Sequence, residues 1–158
     1  MGEFSQAPVP RYIWGAPVRR VFDTMTAGYS LATALHAPGL DETIAVICQG
    51  NGVTDQQASR IDLMLYIRRF GGGPDTFWRR LAEVHEIDRV QGGKPSGRLL
   101  YRWLEEEDRF EAVEPARFLR GQTSDVDRRA ARLEELAMAG RTAPVEVARL
   151  VVRHLRGD

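Results

Sequence analysis

The chain has 158 residues, with 22 Lys plus Arg, 22 Asp plus Glu and 43% apolar residues. This is the length of about one domain and the mix of a folded soluble protein. It excludes a disordered tail, a collagen-like chain and a highly basic nucleic-acid binder, and no stretch approaches the ~18 uninterrupted apolar residues of a spanning helix.

Residues 1–16, with Pro8 and Pro10, read as an extended arm that Tyr12, Ile13 and Trp14 pin to the body. Glu3-Phe4 matches what a common cloning site encodes, so residues 1–4 read as vector-derived. Pro17 suits a first helical turn, and Val18, Phe22 and Met25 follow at i, i+4, i+7, a helical face. Leu31, Ala34 and Leu35 continue that helix or start another, up to Pro38-Gly39. Asp41-Glu42 opens the next element, with acids where a helix N-terminus favours them. Residues 43–48 are helix or buried strand, and helix is preferred because no second convincing strand pairs with them. Gly50-Asn51-Gly52 ends the element.

Thr54-Asp55-Gln56-Gln57 has the pattern of a capping box. The residues from Ile61 to Phe70 are apolar almost all round a helical cylinder, so 54–70 is predicted as the central buried helix. Pro74-Asp75 then starts a helix after the Gly71–Gly73 stop, with Phe77, Trp78, Leu81 and Val84 inward. Ser96 caps a helix carrying Leu99, Leu100, Trp103 and Leu104. Pro115–Arg120 is a short helix ended by Gly121, and two more follow from Ser124 and Thr142. The predicted fold class is therefore all-α: a compact bundle of seven or eight short helices around 54–70. Its organisation is an arm at 1–16, a main helical domain at 17–121 and a helical hairpin at 122–158 packed on it.

Chemical motifs are sparse. Cys48 is the single cysteine; with no internal disulfide available, it predicts a reducing, cytoplasmic compartment, and within an apolar run it reads as a small buried residue. The glycines at 71–73 before a helix start could hold an anion, but Asp75 would repel it. Gln91-Gly92-Gly93-Lys94 lacks the upstream Gly and the following Ser or Thr of a phosphate loop. His85-Glu86 has no second histidine at i+4, so no metal site is predicted, and the run Glu105–Asp108 reads as a solvated helix end. No cofactor is implied.

Arg80 precedes His85, and Arg149 precedes His154, by five residues. This spacing is similar to the Arg-x4–6-His motif of the HEPN class of small all-helical ribonucleases. That resemblance implies a metal-independent ribonuclease using Arg80 and His85, though Leu81 stands where the motif usually has a polar residue. Arginine supplies 21 of the 22 basic residues, so chance alone produces such spacings often. The helix pair around Gly71–Pro74 has helix-turn-helix length, but charge is spread evenly: residues 1–53 hold three basic and four acidic groups and residues 54–95 hold seven and six. Phosphate-backbone binding needs a concentrated basic surface, so nucleic acid is allowed but not favoured.

Arginine and aromatic residues are the types enriched at interface hot spots. Trp78 and Trp103 read as core, which leaves Arg68, Arg69, Arg79 and Arg80 as the partner-binding candidates. The sequence thus favours a non-enzymatic helical interaction or adaptor domain of a larger bacterial signalling, regulatory or defence protein. It would dock a protein partner or self-associate, with the ribonuclease and a DNA-binding regulator as alternatives.

Overall fold

The computed structural model describes residues 2–73, 76–118 and 123–156, with Thr123 and residues 154–156 by backbone alone. The fold is mixed α/β, which overturns the expected all-α bundle of seven or eight helices: five α-helices and six strands occur among the described residues. The chain divides into two compact units, Met1–Ala116 and Arg117–Asp158.

The first unit begins with β1 (Glu3–Phe4), which pairs in parallel with β2 (Ala34–Leu35). The residue pair read as vector-derived is therefore part of the fold, and Phe4 is buried in the core. Helix α1 (Ala16–Thr26) has proline in its first turn and buries Val18 and Phe22, the face that the spacing predicts. Leu31–Leu35 does not continue it as a helix; β2 lies there instead. Helix α2 (Leu40–Ala45) has Asp41 and Glu42 in its first turn and runs on as a π-helical turn, Val46–Gly50. Residues 43–48 are thus helical. Buried Asn51 ties the two helices together: its Nδ2 donates to the Val46 carbonyl at 2.8 Å, and its Oδ1 accepts from the Gly15 N–H at 2.7 Å. A buried amide needs such partners.

The predicted central helix 54–70 does not exist as such. The capping box forms, with the Gln57 N–H donating to Thr54 Oγ1 and the Thr54 N–H donating to Gln57 Oε1, but α3 is one turn, Asp55–Ala58. The chain then extends as β3 (Leu63–Phe70), β4 (Trp78–Gln91), β5 (Lys94–Leu104) and β6 (Arg109–Ala112), an antiparallel meander in that order. The helices expected after Asp75 and after Ser96 are strands β4 and β5, and Gln91–Pro95 is the hairpin between them. Pro74 and Asp75 themselves lie outside the described residues. The physical reason for the miss lies in the ladders. An extra residue enters β4 twice, Ala82 in its ladder with β3 and Asp88 in its ladder with β5. Each bulge turns a local period of two into three. Leu81 and Val84, and likewise Ile87 and Val90, then share a face three residues apart, a spacing that imitates a helical stripe.

The core gathers Val18 and Phe22 of α1, Ile44 and Ile47 of α2 and its π turn, Val53, Ala58, and Ile87 and Val90 of β4. The helices cover the half of β4 that lies towards Gln91. Across β4 and β5, Glu86 stands directly opposite Arg98; both side chains are buried, with Arg98 Nε 3.6 Å from Glu86 Oε2 and Nη2 3.0 Å from Asp88.

The second unit is a helical pair, α4 (Thr123–Met138) and α5 (Pro144–Arg156), joined through Gly140 at φ 67°. Arg128 and Arg129 both pair with Asp125 in the first turn of α4. The expected helix at Pro115–Arg120 is not formed over residues 115–118, and residues 119–122 lie outside the described ones.

Phe22, 1% exposed, is the test of this core. Phe22→Ala is expected to cost ~3–5 kcal/mol, read as a lower urea midpoint with an unchanged slope.

Candidate functional site

The four arginines singled out by sequence sit at one end of the β3–β4 hairpin. Arg68 is opposite Arg80, Arg69 opposite Arg79, and Phe70 opposite Trp78. Neighbouring strand residues point to opposite faces, so the four do not form one patch. They split into two like-charged cross-strand pairs. Such pairs repel, and each is accommodated by aromatic rings.

On one face, Phe70 stacks on Trp78 with ring centroids 4.4 Å apart, and Trp103 of β5 meets both edge-on at 5.0 and 5.7 Å. The Arg80 guanidinium lies 4.7 Å from the Trp78 ring centre, and Arg68 lies 4.9 Å from that of Phe70. Arg80 Nε and Nη2 each donate to Asp108 at 2.9 Å, a two-pronged pair, and Trp103 Nε1 donates to the same carboxylate at 2.9 Å. Asp108 sits in the β5–β6 turn with φ 43°, a left-handed conformation that Asp tolerates better than most residues. The Arg80 hydrogen bond, then that of Trp103, holds the Asp108 carboxyl below its ordinary pKa, and the same bond raises that of Arg80. Arg68 is 3.9 Å from Glu105. This face is therefore a brace: Arg80 is committed to an internal contact, and Trp103 is buried as the sequence predicts, whereas Trp78, also read as core, is 43% exposed.

On the other face, Arg69 and Arg79 lie 4.6 and 4.7 Å from the centre of the Phe77 ring. Two cations over one ring are held by its negative quadrupole. Arg69 Nη2 also donates to the Gly73 carbonyl at 3.1 Å. Neither arginine has an acidic partner among the described residues. Phe77 is exposed, as are Leu65 and Ile67 on β3. Gly71, at φ 92°, closes the hairpin; a Cβ there would lie 2.2 Å from the Thr76 carbonyl oxygen. Sequence reasoning missed Phe77 and Asp108 as functional neighbours. The available signal was the mirrored order Arg68-Arg69-Phe70 and Phe77-Trp78-Arg79-Arg80 about a glycine turn, which is hairpin rather than helical text.

The other sequence candidates are disposed differently. Glycines 71–73 lead into a hairpin, so no helix N-terminus stands behind them. The Gly92 and Gly93 N–H groups near Lys94 donate to the Asp55 carboxylate at 2.6 and 3.1 Å, which occupies donors an anion would need. Arg80 and His85 lie on a strand, not a helix; Arg80 is held by Asp108, and His85 Nε2 is 2.7 Å from Glu83. Arg149 approaches Glu146, and the side chain of His154 lies outside the described ones. Cys48 is half-buried; burial, then the Asp55 charge, pushes its thiol pKa up, away from the reactive thiolate. Among the described residues no three His, Cys, Asp or Glu side chains could hold a metal ion, and no helix is long and apolar enough to cross a membrane. No protein-family model and no curated protein matches the chain.

The Asp108 clamp makes a pH prediction. Its folded-state pKa is depressed, so the clamp's contribution is present above the ordinary carboxylate range and is lost as pH falls through the lowered value. Near-UV circular dichroism of the Trp78–Trp103 pair is expected to change in that acid window. Asp108→Asn should remove the acid-dependent step while leaving the far-UV spectrum at neutral pH unchanged.

Proposed function

We propose that the chain is a non-enzymatic protein-interaction domain whose docking site is the turn end of the β3–β4 hairpin, where Arg69 and Arg79 clasp Phe77. One observation carries this reading: two neighbouring guanidiniums, with no acidic partner among the described residues, flank an exposed aromatic ring at the end of the β3–β4 hairpin. Planar guanidiniums recognise carboxylates bidentately, and an exposed ring beside them adds the apolar anchor that interface centres use. The partner is a protein presenting carboxylates around an apolar contact. The setting is the cytoplasm, within a larger bacterial signalling, regulatory or defence protein.

The partner-binding group is thus narrowed from Arg68, Arg69, Arg79 and Arg80 to Arg69, Arg79 and Phe77. Arg68 and Arg80 support the site from the opposite face. Of the two alternatives, the helix-turn-helix reading was drawn from a helix pair where a hairpin stands; for the ribonuclease reading, Arg80 and His85 lie on strand β4, whereas Arg149 and His154 both lie on α5.

The test is photo-crosslinking in the native host from a benzophenone side chain placed at the exposed Thr76, next to Phe77 in the chain. A discrete protein adduct is expected, lost with Arg79→Glu and with Phe77→Ala and retained with Arg79→Lys at reduced yield. Metal-independent cleavage of RNA abolished by His85→Ala, or an adduct indifferent to Arg79→Glu, would overturn the reading.

A further inference from the structure

Strand β3 has a second property, separate from the clasp at its end. It is the outermost strand of its sheet, and among the described residues no strand pairs with its free side. Proteins guard such edges with short strands, proline, bulges or a covering element. β3 runs for eight residues without proline. The irregularity in its ladder lies between Tyr66 and Ile67, where the extra residue, Ala82, belongs to β4 and leaves β3 regular. Leu65 and Ile67 are 57% and 62% exposed on it. This is an unguarded pairing edge.

The charges on this edge are self-complementary. Asp62 immediately precedes β3, is exposed and has no ion-pair partner among the described residues; Arg68, near its other end, reaches Glu105 only at 3.9 Å. Consider a second copy laid antiparallel against β3 about a two-fold axis perpendicular to the sheet. Opposed residues must then share a face, so residue numbers in each pair sum to an even value. Centred on Leu65, the register sets Leu65 against its own copy, Leu63 against Ile67, Met64 against Tyr66 and Asp62 against Arg68. Apolar residues meet apolar residues, and two opposite-charge pairs close the ends. Centred on Tyr66, the alternative register opposes Arg68 to Met64, Arg69 to Leu63 and Asp62 to Phe70, so no acid faces an arginine. Register follows the pattern that satisfies both faces.

We infer that two copies of this chain associate through β3, antiparallel and centred on Leu65, extending the four-stranded sheet across the dyad. Such an interface is isologous, so every contact occurs twice. The clasp of Arg69, Arg79 and Phe77 takes no part in these opposed pairs, so the inference can fail while the docking reading stands, and the reverse.

Charge reversal and cross-linking test it on the full chain. Sedimentation equilibrium is expected to show a reversible species of twice the 17.8 kDa chain mass. Asp62→Arg or Arg68→Asp alone should weaken it about tenfold or more, because each change acts twice across the dyad. The double exchange Asp62→Arg with Arg68→Asp should restore it. In a Cys48→Ser background, Leu65→Cys should oxidise to a disulfide-linked dimer, since directly opposed strand residues have Cα atoms ~4.5–5.5 Å apart, within disulfide range. Leu63→Cys and Ile67→Cys chains should cross-link when mixed and not singly. A chain that stays monomeric at high concentration overturns the inference. So does a dimer insensitive to either single reversal, a double exchange that fails to rescue, or Leu65→Cys chains that do not join.

Discussion

Strand β4 is longer than the layer that covers it. Its fourteen residues, Trp78–Gln91, extend over ~45 Å at strand rise, whereas α1, with eleven residues, spans only ~16 Å. The helices reach the half that carries Ile87 and Val90. The other half must support itself, because a bare hairpin is marginal in water. The aromatic trio Phe70, Trp78 and Trp103 with the Arg80–Asp108 clamp answers that need. It supplies apolar area, ring-edge contacts and a charge-assisted fork in place of a helical cover, and it fastens the β5–β6 turn to β4. The same constraint leaves the opposite face of the hairpin end and the outer edge of β3 open.

Strand alternation decides what each arginine can do. Sequence alone placed Arg68, Arg69, Arg79 and Arg80 in one group because they flank one turn. On a hairpin, adjacent residues diverge and cross-strand residues converge. Arg80 is thereby directed to Asp108 and Trp103, and Arg79 to Phe77. Chemically identical neighbours thus receive different roles, one internal and one outward, from a period of two.

Several local features were legible in the sequence. Pro17 with Val18 and Phe22 marked α1, Asp41-Glu42 marked the start of α2, Thr54 with Gln57 marked a true capping box, and both C-terminal helices form, although their apolar residues Leu133, Val145 and Val152 are exposed. The sheet was not legible, for two physical reasons. Bulges at Ala82 and Asp88 of β4 set Leu81 and Val84, and likewise Ile87 and Val90, three apart on one face, and a capping box states where a helix begins but not how far it runs. The propensity of Leu63–Phe70 is shared between helix and buried strand; pairing with β4 along its whole length settles it. One signal was under-read. Gly92-Gly93 between Gln91 and Lys94 is a two-residue hairpin turn, with φ values of 61° and 70° that only glycine adopts freely, and recognising it would have turned both flanking helices into strands.

The electrostatics fix the charge state of three groups: Asp108 is pushed further into its ionised form, Arg80 is held more firmly protonated, and Cys48 is kept as the thiol. Each moves its group away from proton exchange near neutrality. Structural ion pairs also perturb pKa values; a carboxylate and a guanidinium that lock each other's charge state form a fixed strut. Arg69 and Arg79, permanently charged and set around Phe77, have no acidic partner among the described residues. Permanent charge suits recognition, because it offers a carboxylate the same donors at every physiological pH. Rigidity on one face of the hairpin and open charge on the other are therefore parts of one arrangement, in which the brace holds the clasp in position.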